Sequence, residues 1–77
     1  MDLKQVLADI ARAIVDTPDA VTVEMTEEGD EVTLLLKVAD DDTGMVIGRK
    51  GRIAKAIRSL MKAAGSTCDK KVTVEIE

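Results

Sequence analysis

The fold is decided by one stretch of sequence, Met45-Val46-Ile47-Gly48-Arg49-Lys50-Gly51-Arg52-Ile53-Ala54-Lys55-Ala56-Ile57. In it, two glycines bracket two cations, and apolar residues at helical spacing follow. Glycine lets the backbone turn sharply and leaves nothing bulky between the main chain and a ligand. A helix that begins there presents free N–H groups and a partial positive charge. The pattern therefore predicts a tight turn and a helix start that can together hold a phosphate.

The helix predicted after this turn is amphipathic. Its apolar residues form one stripe at i, i+3, i+4 spacing: Ile53, Ala56, Ile57, Leu60, Met61 and Ala64. Gly65 follows the stripe, at the position where a left-handed helix cap is expected. At 100° per residue, four cations fall within a sector of about 120° on the other side: Arg52, Lys55, Arg58 and Lys62. Lys and Arg are also good helix formers, so a plain solvated face would look similar. The lack of acids at i±4 favours a binding surface.

Upstream of the stretch, the sequence predicts a helix and a hairpin. Residues 2–16 have helical apolar spacing, with Asp2 and Gln5 placed as a capping box and Pro18 just beyond the end. From Val21 the period changes to two, which predicts a strand with its apolar side on Val21, Val23 and Met25. A turn at Glu28-Gly29-Asp30 and a second strand with one apolar side, Val32, Leu34, Leu36 and Val38, complete the hairpin.

The remaining elements complete an α+β domain. Thr43 is placed to cap a short helical turn before the glycine loop, and alternation from Val72 onward predicts a last strand. The order helix, strand, strand, short helix, helix, strand predicts a three-stranded sheet covered on one face by three helices. With 77 residues there is room for one domain and one hydrophobic core.

Composition excludes several classes of site. One cysteine and no histidine leave no means for a disulfide, a Cys/His zinc site or a Cys/His or Ser/His catalytic pair within one chain. We therefore expect no cofactor, no metal and no small-molecule substrate. The amino terminus lacks a signal-peptide pattern, and no apolar run reaches membrane-spanning length, so we expect a cytoplasmic protein without membrane association.

The charge distribution is uneven. The net charge is −4, yet residues 43–68 hold six cations and no acid, whereas residues 1–42 hold twelve of the fifteen acids. Such asymmetry indicates where an anion can dock, because the acidic remainder repels it from other surfaces. A polyanionic partner is therefore expected at this segment alone.

The stretch around the glycine loop closely resembles the signature of KH domains, in which an IGxxG loop joins two short helices and a basic helix follows. KH loops of this kind clamp four nucleotides of backbone. The predicted element order resembles the type II KH fold (α-β-β-α-α-β), so the resemblance covers residues 1–77 as a single domain. The chain is similar to bacterial single-domain KH proteins of the KhpA type.

This resemblance implies a non-enzymatic binder of single-stranded RNA with low sequence specificity. By the same resemblance, the RNA-binding residues are Ile47, Gly48, Arg49, Lys50, Gly51, Arg52, Lys55 and Arg58. Ile47 and Ile53 either form an apolar part of the RNA groove or belong to the core. The family resemblance further implies an RNA chaperone or post-transcriptional regulator that pairs with a KhpB-type KH protein and affects cell shape and cell-wall biogenesis. Small size and one weak clamp also predict a homodimer.

Three other classes remain open from the residues. A basic helix after a short helix and tight turn is also how helix-turn-helix proteins read duplex DNA. A protein–protein dimerisation module without RNA binding is a second alternative, against which the two central cations of the loop argue. An enzyme is the third, since Asp40-Asp41-Asp42 could hold a cation, although consecutive acids after a strand are typical of a solvated loop. Cys68 is predicted to be a small structural residue or an idle thiol.

Overall fold

A computed structural model describes residues 2–77 as a layer of helices on a three-stranded sheet. The helices and strands, in chain order, are α1 Leu3–Ile14, β1 Thr22–Glu28, β2 Glu31–Lys37, α2 Thr43–Ile47, α3 Arg52–Ser66 and β3 Lys71–Ile76. Short 3-10 turns occupy Pro18–Ala20, Asp40–Asp42 and Arg49–Gly51. The predicted α+β class and the type II KH element order are confirmed.

Helix α1 begins with a side-chain cap and supplies one wall of the core. The Asp2 carboxylate accepts a hydrogen bond from the backbone N–H of Gln5 at 3.1 Å. The Gln5 amide donates to Asp9 at 2.7 Å instead of returning to Asp2, so only half of the predicted capping box forms. The buried side of α1 consists of Leu3, Leu7, Ala8 and Ala11.

The sheet has the order β1-β2-β3, with β2 in the centre. Strands β1 and β2 pair antiparallel through a turn at Gly29 and Asp30, where Gly29 has a φ of 59°. Strand β3 pairs parallel to β2, so its outer side is a free sheet edge beside α3. The buried side of β2 is Val32, Leu34 and Leu36, as the alternation predicted.

Several residues of the predicted apolar sides lie at the surface, among them Met25 and Leu60. Met25 is 46% exposed because that end of the sheet is covered only by the start of α1 and the loop before β3, which leaves a shallow depression. Leu60 is 53% exposed, whereas Ala54, absent from the predicted stripe, is buried together with Ile57 and Met61. The predicted apolar stripe of α3 is confirmed for Ile57, Met61 and the partly buried Ala64. It was wrong for Ile53, Ala56 and Leu60, which are exposed because the neighbouring elements cover only the side centred on Ala54, Ile57 and Met61.

Gly65 is not the left-handed cap that the sequence predicted. It is buried inside α3, which continues to Ser66, and Asp69 adopts the left-handed conformation in the following loop. A Cβ atom at Gly65 would overlap the Val72 side chain and approach the Lys70 carbonyl oxygen to 2.9 Å. The glycine is thus needed for close packing of α3 on β3.

The acidic tract after β2 is not simply a solvated loop. Asp42 is 2% exposed, and its carboxylate accepts a hydrogen bond from the backbone N–H of Thr17 at 2.9 Å. This bond ties the connection between α1 and β1 to the start of α2. Thr43 is the first residue of α2 and Asp42 precedes it as N-cap, so the prediction of Thr43 as the cap was wrong by one residue.

Candidate nucleic-acid interface

The glycine loop between α2 and α3 has a backbone that few sequences tolerate. Gly48 has a φ of 75° and Gly51 a φ of 73°, both in the region that favours glycine. Lys50 also has a positive φ, 57°, which is uncommon for a residue with a side chain. A hydrogen bond from the Gly51 N–H to the Gly48 carbonyl, 3.1 Å long, closes the turn. The loop therefore holds the Arg49 and Lys50 side chains out at the surface.

The two glycines are required for different reasons. A Cβ on Gly48 would lie 2.6 Å from Cγ1 of Ile53, so a side chain there would displace Ile53. A Cβ on Gly51 would meet nothing within 4 Å. Gly48 is thus needed for its positive φ and for the close approach of its backbone to Ile53. Gly51 is needed for its positive φ alone, and it leaves open space in front of α3.

The start of α3 is suited to an anion. Its N-cap is Gly51, which has no side chain to accept from the first N–H groups of the helix. These free donors and the helix dipole favour a negative charge at this end. Arg49 and Lys50 add full positive charges beside the same donors. A phosphate group at this position would satisfy donors that the protein itself leaves open.

The cations of α3 are exposed and available. Arg52, Lys55, Arg58 and Lys62 are all exposed, and none of them forms a salt bridge within residues 2–77. The ion pairs lie elsewhere, as in Lys70 with Glu27 at 2.6 Å. That contact raises the pKa of Lys70, chiefly through its hydrogen bond to Glu27. Lys70 also donates to the Gly29 carbonyl at 3.1 Å, so it fastens the loop before β3 to the hairpin.

A groove runs between the cation side of α3 and the free edge of β3. Its volume is about 250 Å³, and it is lined by Arg58, Ser59, Lys62, Val72, Thr73 and Val74. The Nε of Arg58 donates to the Val74 carbonyl across the groove at 3.3 Å. The sequence did not predict that β3 forms one wall of the groove. Helical spacing shows on which side of a helix a residue lies, but it does not show which strand packs beside that side.

The predicted site residues separate into two groups. The loop residues Gly48 to Gly51 and the side chains of Arg52 and Lys55 are adjacent around the start of α3, and Arg58 follows in the groove. Ile47 and Ile53 are 38% and 40% exposed, so neither is a core residue. At 100° per residue, Ile53 lies on the side of α3 opposite Lys62.

An apolar strip of α3, consisting of Ile53, Ala56 and Leu60, is exposed on this opposite side. Met45 and Ile47 on neighbouring α2 are also more than a third exposed. Exposed apolar side chains that lie together in this way make a candidate contact surface. Helix α3 therefore presents three sides: a buried one, a cationic one and an apolar one.

Other candidate chemistry finds little support among residues 2–77. In this part of the chain, no group of three or more Asp, Glu, Cys or His side chains is arranged to hold a metal ion. Cys68 is half-buried, with its sulfur 3.7 Å from the Thr67 hydroxyl. None of the helices described has both the length and the apolar character needed for a membrane span.

Comparison with known proteins identifies relatives over nearly the whole chain. Residues 4–76 match the family described as "KhpA/KhpB, KH domain". The protein named "RNA-binding protein KhpA" from Clostridium acetobutylicum is 50% identical over 74 residues, which are 96% of this chain and 99% of that relative.

Two further relatives carry the same name. The one from Caldanaerobacter subterraneus subsp. tengcongensis is 49% identical over 94% of this chain and 96% of its own length. The one from Bacillus subtilis is 43% identical over 96% of this chain and 91% of its own length. The similarity thus extends over the helices, the sheet and the glycine loop alike.

Proposed function

The chain belongs to the KhpA/KhpB KH-domain family, and on that premise we propose that it binds single-stranded RNA by holding the backbone at the Gly48–Gly51 loop. The observation that carries the proposal is the uncapped start of α3 beside two exposed cations. Relatives similar over nearly their full length are named RNA-binding proteins, which supports the same conclusion. The protein acts by binding, without catalysis.

The RNA path follows the positive charge. From the loop, the strand passes Arg52 and Lys55 and enters the groove between α3 and β3, where Arg58 lies. Acids dominate residues 1–42, so the remaining surface repels the backbone and confines it to this path. Most contacts are made to phosphate, which explains low sequence specificity. Stacking on Phe, Tyr or Trp is impossible because the chain has none.

Recognition of duplex DNA by α3 fits the surroundings of the helix less well. A recognition helix enters the major groove with its exposed side free on both flanks. Here the edge of β3 lies directly beside the cation side of α3, and Arg58 donates a hydrogen bond to the Val74 carbonyl on that edge. A narrow groove of this kind suits a single strand.

The test is a charge reversal with a matched control. Arg49→Asp with Lys50→Asp should abolish binding of a fluorescent single-stranded RNA, because it places two acids at the phosphate position. Asp tolerates the positive φ of residue 50 better than most residues do. The control, Lys4→Glu with Arg12→Glu on exposed positions of α1, changes net charge equally and should retain most of the affinity.

Circular dichroism of both double variants should match that of the unmodified protein. Retained RNA binding by the loop variant would refute the clamp. Equal loss in both variants would show that net charge alone governs binding. Preference for duplex DNA in direct competition would replace this proposal with the DNA-binding alternative.

The apolar strip of α3 supports self-association into a homodimer. It lies away from Lys55, Arg58 and Lys62 on the helix surface, so two copies can meet there while the groove beside β3 stays open. A single glycine-loop clamp is expected to bind RNA weakly. Two linked clamps bind more tightly, because the second one binds at a high effective concentration once the first is bound. A KhpB-type KH protein, a member of the same matched family, is the proposed alternative partner for this surface.

Leu60→Gln tests the dimer without changing charge. We expect sedimentation velocity to show a dimer for the unmodified chain at tens of micromolar and a monomer for the variant. A monomer in both cases would exclude the homodimer. Mixing with a KhpB-type protein then tests whether the same residue controls pairing between the two proteins.

By family resemblance, the proposal extends to a cytoplasmic role as an RNA chaperone or post-transcriptional regulator linked to cell shape and envelope growth. A chaperone should speed the annealing of complementary RNA strands. The loop variant should lose this acceleration, and unchanged annealing rates in its presence would separate chaperone action from the clamp.

A further inference from the structure

Asp42 is a buried carboxylate at the junction between the acidic tract and α2. Its side chain accepts a hydrogen bond from the Thr17 N–H at 2.9 Å, although the two residues are 25 positions apart in the chain. The neighbouring acids Asp40 and Asp41 are exposed. Burial removes a carboxylate from water, so it requires a specific partner in return. The contact with Thr17 thus sets Asp42 apart from the two acids before it.

The Thr17 side of this bond belongs to a firmly held part of the fold. Thr17 immediately precedes the 3-10 turn Pro18–Ala20, and its carbonyl accepts from the Ala20 N–H at 3.0 Å. The proline ring fixes the backbone φ at the start of this turn. Val21, at the entry to β1, is buried in the core. The Asp42 carboxylate is therefore tied to a segment whose movement would disturb the core.

Helix α2 has few other attachments to the fold. Of its five residues, Thr43–Ile47, only Val46 is buried, and the helix packs chiefly against α3. The Gly48 N–H donates to the Gly44 carbonyl at 2.8 Å, so the last turn of α2 runs directly into the glycine loop. At about 1.5 Å per residue, α2 spans about 8 Å. A shift at its first residue is therefore passed on to the loop over a short distance.

The glycines at the other end of α2 permit such a shift. Gly48 and Gly51 flank the turn that joins α2 to α3, and glycine restricts the backbone less than any other residue. Without the bond to Thr17, α2 is held by Val46 and by its packing on α3, and it can turn about these glycines. A binding site that is correctly arranged in only a fraction of the molecules loses affinity by that fraction.

We infer that Asp42 is a positioning residue for RNA binding: its bond to the Thr17 N–H fixes α2 and thereby keeps the Gly48–Gly51 loop in its binding geometry. This inference rests on the proposed function and deepens it. Asp42 is buried and does not touch the RNA, and its charge opposes a polyanion. Removal of this acid thus has two opposite effects on RNA affinity, namely less repulsion and a less ordered loop. The positioning role requires that the second effect exceed the first.

Alanine variants of two adjacent acids separate these effects. Asp42→Ala removes the bond, whereas Asp41→Ala removes the same charge from an exposed position. In fluorescence anisotropy with one single-stranded RNA at one salt concentration, we expect Asp42→Ala to bind about three- to tenfold more weakly, as the loss of one hydrogen bond allows. Asp41→Ala should bind as tightly as the unmodified protein, or more tightly. Asp42→Asn keeps an acceptor oxygen and should recover most of the affinity.

Hydrogen exchange of the Thr17 amide, measured by NMR, reports the bond itself. Its protection should fall in Asp42→Ala and persist in Asp41→Ala, and RNA affinity should follow this protection across the variants. If Asp42→Ala does not fold, Asp42→Ser takes its place, because the serine hydroxyl stays polar but ends one bond short of the Thr17 N–H.

A second control separates positioning from lost stability. Val32→Ala shortens a buried side chain at the hairpin end of β2, beside the loop before β3. It should lower the midpoint of thermal unfolding but leave RNA affinity unchanged at a temperature where the variant is folded. Asp42→Ala, measured at the same temperature, should lose affinity while its circular dichroism remains that of a folded protein.

Each result leads to a distinct conclusion. Weaker RNA binding that accompanies lost Thr17 protection supports the positioning role of Asp42. Lost protection with unchanged or tighter RNA binding overturns that role and leaves the backbone clamp intact. Equal weakening in Asp41→Ala or Val32→Ala overturns it as well, because charge or stability would then explain the effect. Absence of RNA binding by the unmodified protein overturns the proposed function, and this inference with it.

Discussion

Helices α1 and α3 are both amphipathic, yet they use their residues differently. Helix α1 buries Leu3, Leu7, Ala8 and Ala11, and the Asp2 side chain caps its first turn. Helix α3 buries a side of similar size but leaves Leu60 half exposed, and no side chain caps its start. The start of α1 is capped by a side chain, whereas α3 leaves an apolar strip, a row of cations and its first N–H donors open.

This difference supports placing the proposed function on α3. Exposed donors and cations are hydrated when no ligand is present, and a ligand or partner can replace that water. On α1 the open groups are few, and its role is to complete the core. On α3 the three kinds of open group lie on defined sides, and we propose that these sides bind RNA and a second copy at the same time.

The largest contrast should appear in stability. Leu7 is fully buried, so Leu7→Ala should lower the free energy of unfolding by about 2–5 kcal/mol. Leu60→Ala should cost less than about 1 kcal/mol in the monomer, because the side chain has few core contacts. Urea unfolding at a concentration below dimer formation measures both. Similar losses for the two leucines would contradict the assignment of Leu60 to a contact surface.

The start of α3 should depend on its glycines unequally. Gly48→Ala should destabilise the protein by about 2–3 kcal/mol, since it combines a positive φ with displacement of Ile53. Gly51→Ala should cost about 1 kcal/mol, for conformation alone. Thermal unfolding of the two variants provides the comparison. If Gly51→Ala were the more damaging change, the account of close approach at Gly48 would be wrong.

Salt dependence should distinguish the cations of the two helices. If three or four phosphates are neutralised, the log–log slope of RNA affinity against salt should be roughly −2 to −3, at about −0.7 per phosphate. Lys55→Gln should make the slope shallower by about 0.7. Lys4→Gln on α1 should leave it unchanged. A slope that responds equally to both substitutions would argue against a defined RNA path.

The smallest effect should come from the Lys70 contact with Glu27. The pKa of Lys70 is raised above its ordinary 10.5 in the folded state, mainly by this hydrogen bond. The stabilisation is therefore fully present below pH 10.5 and is lost as the pH rises through the folded-state pKa. Lys70→Met should flatten the fall in stability in that alkaline range. An unchanged alkaline profile would exclude a role for the ion pair.

Much of this organisation was predictable from sequence. Periodicity gave the order of the elements, the turn at Gly29 and the position of the glycine loop, because these depend on residues close together in the chain. The identity of the cation side of α3 followed from spacing alone. The RNA-binding role of those residues stays a prediction.

What escaped prediction depends on contacts between distant residues. Spacing could not show that α3 is covered on one side only, so Leu60 was placed in the core. It could not show that β3 approaches Gly65 closely, or that Asp42 bonds to Thr17. The bond from Arg58 to Val74 belongs to the same class, since it joins residues that only the packing of α3 on β3 brings together.

We propose that α3 carries two independent surfaces, one for RNA and one for a second copy. Sedimentation velocity with a fluorescent single-stranded RNA tests it in one experiment. We expect Arg49→Asp with Lys50→Asp to remain dimeric and lose RNA, and Leu60→Gln to become monomeric while still binding RNA more weakly. Loss of both RNA binding and dimerisation in either variant would contradict the claim.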